Sequence, residues 1–143
     1  MTKLYLIGAL KNPEIPKIAN TIESWGYQVY DDWWSPGPET DQFWHKHETS
    51  RCRTYKEAIN GPHAWNVFEF DRRLLDDSSG AVLVLPSGKS GHLELGYIIG
   101  CGKPGFILMD GEPTRWDVMY RFATDIVYNL KELRESLIKT FGA

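Results

Sequence analysis

The stretch Ala81-Val82-Leu83-Val84-Leu85-Pro86-Ser87-Gly88-Lys89-Ser90-Gly91-His92-Leu93-Glu94 decides the fold. Its first five residues form an apolar run without polar alternation. That is the pattern of a strand covered on both faces. Pro86 to Gly91 is a small-residue loop that ends the strand, and His92 to Gly100 continues as a helix. Strand, tight loop and helix together make the opening of a βαβ unit, so strands alternating with helices on either side would build a parallel sheet.

The same alternation continues outward. Leu4 to Gly8 is a short apolar run ending in glycine and predicts the first buried strand. Ile15, Ile18, Ala19, Ile22 and Trp25 recur at helical spacing over residues 14–25, and Gly26 is a plausible stop. Tyr27 to Tyr30 reads as a second strand ending in Asp31-Asp32. From about Ala64 to Asp76 or Asp77 a helix carries Val67, Asp71, Leu74 and Leu75 on one face. Phe106 to Met109 is a fourth strand after the Gly102-Lys103-Pro104 turn, Trp116 to Phe122 a short helix, and Asp125 to Tyr128 a fifth strand. Asn129 followed by Glu132 is a capping signature, and Leu130, Leu133, Leu137 and Ile138 give a final amphipathic helix. The prediction is an α/β architecture, a parallel sheet of five strands with helices on both faces, in one domain spanning residues 1–143.

Residues 33–62 interrupt this order. The turn clusters Ser35-Pro36-Gly37-Pro38 and Asn60-Gly61-Pro62 bracket them, with room for short helices between Phe43 and Tyr55. Trp33, Trp34, Trp44 and Trp65, four of the six tryptophans, fall between residues 31 and 65 and mark a Trp-rich insertion there. A long insertion in a compact domain is usually a functional loop or lid, and large aromatics outside regular elements either plug a core or wall a ligand.

Composition bounds the rest. Hydrophobic residues make up 42% of the 143 and charged residues 24%, an ordinary globular balance. The formal net charge of -3 argues against phosphate-driven binding of a nucleic acid polymer. Cys52 and Cys101 form no metal spacing and no disulfide framework, and Cys101 reads as a buried, inert thiol. The start shows no signal-peptide pattern and no apolar run is long enough for a membrane span. The expectation is a cytoplasmic chain that uses neither membrane nor metal.

Ligands of open α/β sheets bind outside the carboxyl ends of the strands. That rule selects Gly8, the stretch Asp32-Trp33-Trp34, and the loop Ser87-Gly88-Lys89-Ser90. The last places free backbone N–H groups and a helix dipole at one point, a geometry that favours an anion such as phosphate. Ser87, Lys89, Ser90 and His92 add side-chain donors; the spacing is not that of a Walker A loop. Glu94 lies in the first turn of this helix, beside the anion site and on the face of Ile98 and Cys101, so it points inward. Burying a carboxylate is costly without a reason. Catalysis is one reason, with the helix dipole keeping the group ionised as a nucleophile; capping of the helix start is the other. Asp71 poses the same question on the preceding helix: either an acid/base partner of Glu94 or half of a buried ion pair with Arg51 or Arg53. Tyr5, Trp33, Trp34 and Trp44 offer aromatic faces to a nucleobase. His45, His47 and His63 lack metal spacing and read as structural or surface residues.

With these residues in hand, the chain resembles the nucleoside 2-deoxyribosyltransferase family, including the 2'-deoxynucleoside 5'-monophosphate N-glycosidases. The matching pieces are Tyr5-Leu6-Ile7-Gly8-Ala9, Phe70-Asp71 to Asp76, and Leu85 to Gly96 followed by Gly102-Lys103-Pro104. The resemblance implies a flavodoxin-like sandwich, commonly dimeric. It further implies cleavage or transfer of the N-glycosidic bond of a nucleoside or its 5'-monophosphate, with no cofactor. Glu94 would be the nucleophile, Asp71 the group assisting the departing base, and Ser87 to Ser90 the holders of the 5'-phosphate. Ser-Gly-Lys-Ser stands where the transferases carry an Asp-rich loop, which shifts the expectation towards a phosphorylated substrate. The Trp-rich stretch has no counterpart in the better-known members. A TIR-like NAD glycohydrolase, a nucleotide sensor without catalysis and an interaction scaffold remain the alternatives.

Overall fold

The computed structural model describes residues 1–142. Five strands, β1 (Lys3–Ile7), β2 (Gln28–Tyr30), β3 (Gly80–Val84), β4 (Gly105–Leu108) and β5 (Asp125–Val127), form one sheet in the order β2-β1-β3-β4-β5. All four pairings are parallel; Tyr5 stands opposite Tyr30 on one side and Ala81 on the other. This is the flavodoxin-like order, and its switch point lies between β1 and β3.

Alternation along the strands divides the core. Leu4 and Leu6 of β1 point with Val82, Val84 and Phe106 to the face covered by α1 (Ile15–Ser24) and α6 (Leu130–Phe141), where Ile15, Ile22, Leu133 and Leu137 are completely buried. Tyr5, Ile7, Ala81, Leu83 and Ile107 point to the other face. There α4 (Pro62–Asp77) and α5 (Lys89–Gly100) pack through Leu75, Leu95 and Ile98. Because β3 is buried on both sides, its apolar run needs no alternation.

Several boundaries differ from the sequence expectation, each for a local reason. Helix α5 begins at Lys89, so half of the expected loop is its first turn, with Gly88 as N-cap. Helix α4 begins at Pro62, which is pre-organised for a first helical position. The short helix expected over 116–122 is a 3-10 turn over Val118–Phe122, opened by the Asp117 carboxylate accepting from the Met119 N–H. The last helix starts as its sequence suggests: Asn129 Oδ1 accepts from the Glu132 N–H at 2.9 Å. Cys101, expected to be buried, is exposed at the end of α5.

The insertion is mostly helical: a 3-10 turn at Asp32–Trp34, α2 (Thr40–Ser50) and α3 (Tyr55–Ile59). A capping box starts α3, Thr54 accepting from the Glu57 N–H while Glu57 accepts from the Thr54 N–H. Helix α2 ends in a Schellman motif, Arg53 N–H to Glu48 O and Cys52 N–H to Thr49 O. The left-handed position there, φ 59°, is held by Cys52 rather than by glycine. A side chain in that region costs about 1–2 kcal/mol. Cys52→Gly is therefore expected to stabilise the chain by about 0.5–1 kcal/mol after the entropy of glycine is deducted, as read by urea unfolding; a destabilised variant would contradict it.

Candidate active site

Helices α4 and α5 lie side by side on one face of the sheet, and both begin at its carboxyl edge. Between them, under α2 and α3, is a cavity of about 690 Å³. The α4 wall presents His63, Val67 and Asp71 at four-residue spacing, and the α5 wall presents Ser90, Glu94 and Tyr97. Such spacings keep each set on one side of its helix. The insertion closes the upper end with Trp44 and Tyr55, whose rings meet edge to face at 6.4 Å.

The expected inward stripe of α4 thus faces this cavity rather than the core. Val67 is half exposed, and only Leu75 at the far end is buried. Asp71 is half-buried and forms no ion pair among the described residues. The expected alternative partner, Arg53, instead holds the buried Glu48 at 2.6 Å, and its guanidinium keeps that carboxyl below the usual range. The neighbouring Arg72 pairs with Glu69 and Asp76 instead, and burial raises the Asp71 carboxyl to about 6.

Glu94 is raised further, to about 7, by burial first and by the Asp71 charge second; the Tyr5 hydroxyl opposes this weakly. Burial thus works against the ionisation that the helix dipole is expected to favour at Glu94. Glu94 sits in the second turn of α5, beyond the first turn in which the dipole acts, and desolvation dominates. Beneath the pair lies Tyr5. Its side chain is completely buried, its hydroxyl has no partner in hydrogen-bond geometry, and burial together with Glu94 and Asp71 pushes its ionisation far up. Tyr5 is the floor of the site and presents no ring face to a ligand, contrary to its expected place in an aromatic wall.

The other expected ligand residues divide. Ser90 lines the cavity with the carboxylates. Gly88 and Lys89 open α5 just above it, and Ser87 lies so close that a Cβ on Gly91 would overlap its Oγ. The glycine at 91 lets the loop fold onto the helix start. Trp33 and Trp34 are not cavity walls: Trp33 Nε1 donates to Leu6 O at 2.6 Å, Trp34 Nε1 donates to Asn12 O at 3.0 Å, and both rings pack on the core. They lock the β1 and β2 ends together. Gly8 has a packing role beside them, since a Cβ there would stand 2.6 Å from Ile15 Cδ1. Asp32 is exposed in the same 3-10 turn. His92 turns away: its Nδ1 lies 2.8 Å from Gly88 O and its Nε2 2.8 Å from Tyr120 Oη. Since a carbonyl only accepts, Nδ1 carries the proton and Tyr120 donates to Nε2. His92 borders a second, apolar cavity against the Val118–Phe122 turn.

The sequence reading missed His63, Tyr55, Phe68, Leu93 and Tyr97 as cavity residues. The available signal was the continuation of the Asp71 stripe towards the start of α4, where Val67 and His63 fall four and eight residues earlier.

Two partly buried carboxylates of elevated pKa, set in a cavity with an aromatic end, form an arrangement suited to dividing a nucleophile from an acid. No family model matches the chain, and no curated protein matches it by sequence. Among solved structures it is similar to a 2-deoxyribosyltransferase from the psychrotolerant bacterium Bacillus psychrosaccharolyticus, with a TM-score of 0.60 and 16% identity, over 93% of this chain and 90% of that one. The chain shares with that enzyme the flavodoxin-like α/β fold.

Proposed function

We propose that the chain cleaves or transfers the N-glycosidic bond of a nucleoside or its 5'-monophosphate. The observation that carries this reading is the convergence of Glu94 and Asp71, both raised in pKa, on one cavity with an aromatic end. Fold likeness to a 2-deoxyribosyltransferase supports it by analogy. In the step, a Glu94 carboxylate oxygen forms a bond to C1' of the sugar. The bond from C1' to the base nitrogen breaks with its electron pair going to the base, which takes the proton of Asp71. Water or a second base then attacks C1', the bond from C1' to the Glu94 oxygen breaks with its electron pair returning to the carboxylate, and the acceptor's proton passes to Asp71. Trp44 and Tyr55 supply the apolar end where a planar base sits.

The Ser87–Ser90 loop and the start of α5 receive the 5'-substituent. A phosphate there meets backbone N–H groups and the Lys89 ammonium. Lys89→Ala is expected to raise KM for 5'-monophosphates about tenfold and to change nucleoside turnover less than twofold. Equal losses on both substrate types would remove the phosphate role. A dimer fits the same site. Trp65, Phe68 and Leu93, between 55% and 75% exposed at the cavity, form an apolar face that a second copy would cover.

The test is incubation with ribo- and deoxyribonucleosides, their 5'-monophosphates and NAD, with free base measured by chromatography. Base release supports the reading, and an added acceptor base separates hydrolysis from transfer. Nicotinamide from NAD alone would shift it to a dinucleotide glycohydrolase. No base from any member would overturn it.

A further inference from the structure

We propose that Glu48 and Arg53 are positioning residues for the aromatic end of the cavity: their ion pair holds the Trp44 ring where the base lies, and so sets affinity for the base while leaving the rate of bond cleavage alone. The inference rests on the glycosidic reading and adds to it the groups that fix the base subsite. Helix α2 is attached in an unusual way. A helix in a compact domain is ordinarily held by an apolar face, yet the single buried side chain among the eleven residues of α2 is that of Glu48, which is 4% exposed. Carboxylates are almost never buried this far unless paired. Arg53 is the partner, its Nη1 donating to Glu48 Oε2 at 2.6 Å. The backbone closes over the same residue, the Arg53 N–H donating to the Glu48 carbonyl at 3.1 Å. Glu48 is thus bound twice to a residue two places before Tyr55, and the corner between α2 and α3 is fixed.

The pair reaches the cavity through Trp44. Trp44 lies four residues before Glu48, on the same side of α2. Its indole N–H is buried and has no partner in hydrogen-bond geometry among the described residues, but it lies near enough to act on Glu48. The Arg53 guanidinium is the largest cause holding the Glu48 carboxyl below its usual range, and the Trp44 indole works in the same direction. The Trp44 ring then meets Tyr55 edge to face and stacks on His63 of α4, with centroids 6.0 Å apart and planes at 18°. All three rings line the cavity. Removing the Arg53 cation leaves a buried charge without its partner, and the end of α2 must turn to let water reach it. That turn carries Trp44 off the base, while Asp71 and Glu94 stay in place on α4 and α5. Contact with the base is lost in ground state and transition state alike, so KM rises and kcat holds.

The experiment compares wild type, Arg53→Met, Arg53→Lys, Trp44→Ala and the double variant Arg53→Met/Trp44→Ala in two assays: calorimetric titration with free adenine, hypoxanthine, cytosine and thymine, and base release from the matching nucleosides. Arg53→Met is expected to weaken base binding and raise KM about five- to tenfold, with kcat within about twofold. Arg53→Lys, which keeps the charge, is expected to recover most of the loss. In the Trp44→Ala background, Arg53→Met is expected to add less than about twofold, because the pair acts through that ring. A role in folding alone would lower the active fraction, and with it kcat, at unchanged KM and base affinity, and would overturn the proposal. So would a full Arg53→Met effect in the absence of Trp44. Base binding that depends on Arg53 without base release from any nucleoside would leave the positioning role standing and remove the glycosidic reading. Base release with KM insensitive to Arg53 would do the reverse.

Discussion

Replacing Glu94 with glutamine is expected to slow base release by at least about a thousandfold, because the amide has no carboxylate to attack C1'. The same substitution is expected to make the protein more stable above neutral pH. In the folded chain burial and the Asp71 charge raise Glu94 from 4.5 to about 7. The folded state therefore holds this proton more tightly than the unfolded one. That contribution is complete below about pH 4.5 and lost as pH rises through 7. Glutamine cannot ionise and avoids the loss. After allowance for solvent at the cavity mouth, Glu94→Gln should gain on the order of 1–2 kcal/mol over wild type at pH 8 relative to pH 5. Urea unfolding at the two pH values measures it. A variant that loses activity by losing its fold, or whose stability difference does not change with pH, would contradict the placement of Glu94.

Asp71 gives the second large effect. With Asp71 near 6 and Glu94 near 7, the pair carries one shared proton between those values. These values put most of that proton on Glu94, whereas cleavage needs Glu94 ionised and Asp71 protonated, so turnover draws on the singly protonated pair after its proton has moved to Asp71. Wild-type kcat/KM should rise through about pH 6, fall through about pH 7 and peak between. Asp71→Asn removes both the proton donor and the charge that raises Glu94. The rate should drop by about 10²–10³-fold. The falling limb should vanish, leaving a single rise that begins at lower pH as Glu94 returns towards its ordinary range. An unchanged bell in Asp71→Asn would assign the two limbs to other groups.

How much of this was legible in the sequence follows from what each segment had to satisfy. The strands were readable because a buried parallel strand leaves little choice: Ala81 to Val84 touch helices on both faces. Glu94 and Asp71 stood out because each interrupts an apolar face. What the sequence could not give was where those faces look. The Asp71 face borders a cavity, and helical periodicity marks such a face as it would a core. The tryptophans show the same limit. Trp33 and Trp34 spend their indole N–H groups on the carbonyls of Leu6 and Asn12, contacts between distant segments that no local pattern announces. Trp44, eleven residues from the first of them, is the one that reaches the cavity. His63 was passed over because its partners, Trp44 and the carboxylates, belong to other helices or other turns. The pKa of Glu94 followed the same rule: the dipole was legible, the depth of burial was not.

The most direct test of the central claim is rapid acid quenching during turnover, followed by proteolysis and mass measurement of the peptide that carries Glu94. The expected result is a mass increase equal to the substrate's glycosyl group, located on Glu94 and absent from Glu94→Gln. A glycosyl adduct on another residue, or base release at the wild-type rate from Glu94→Gln, would contradict the account.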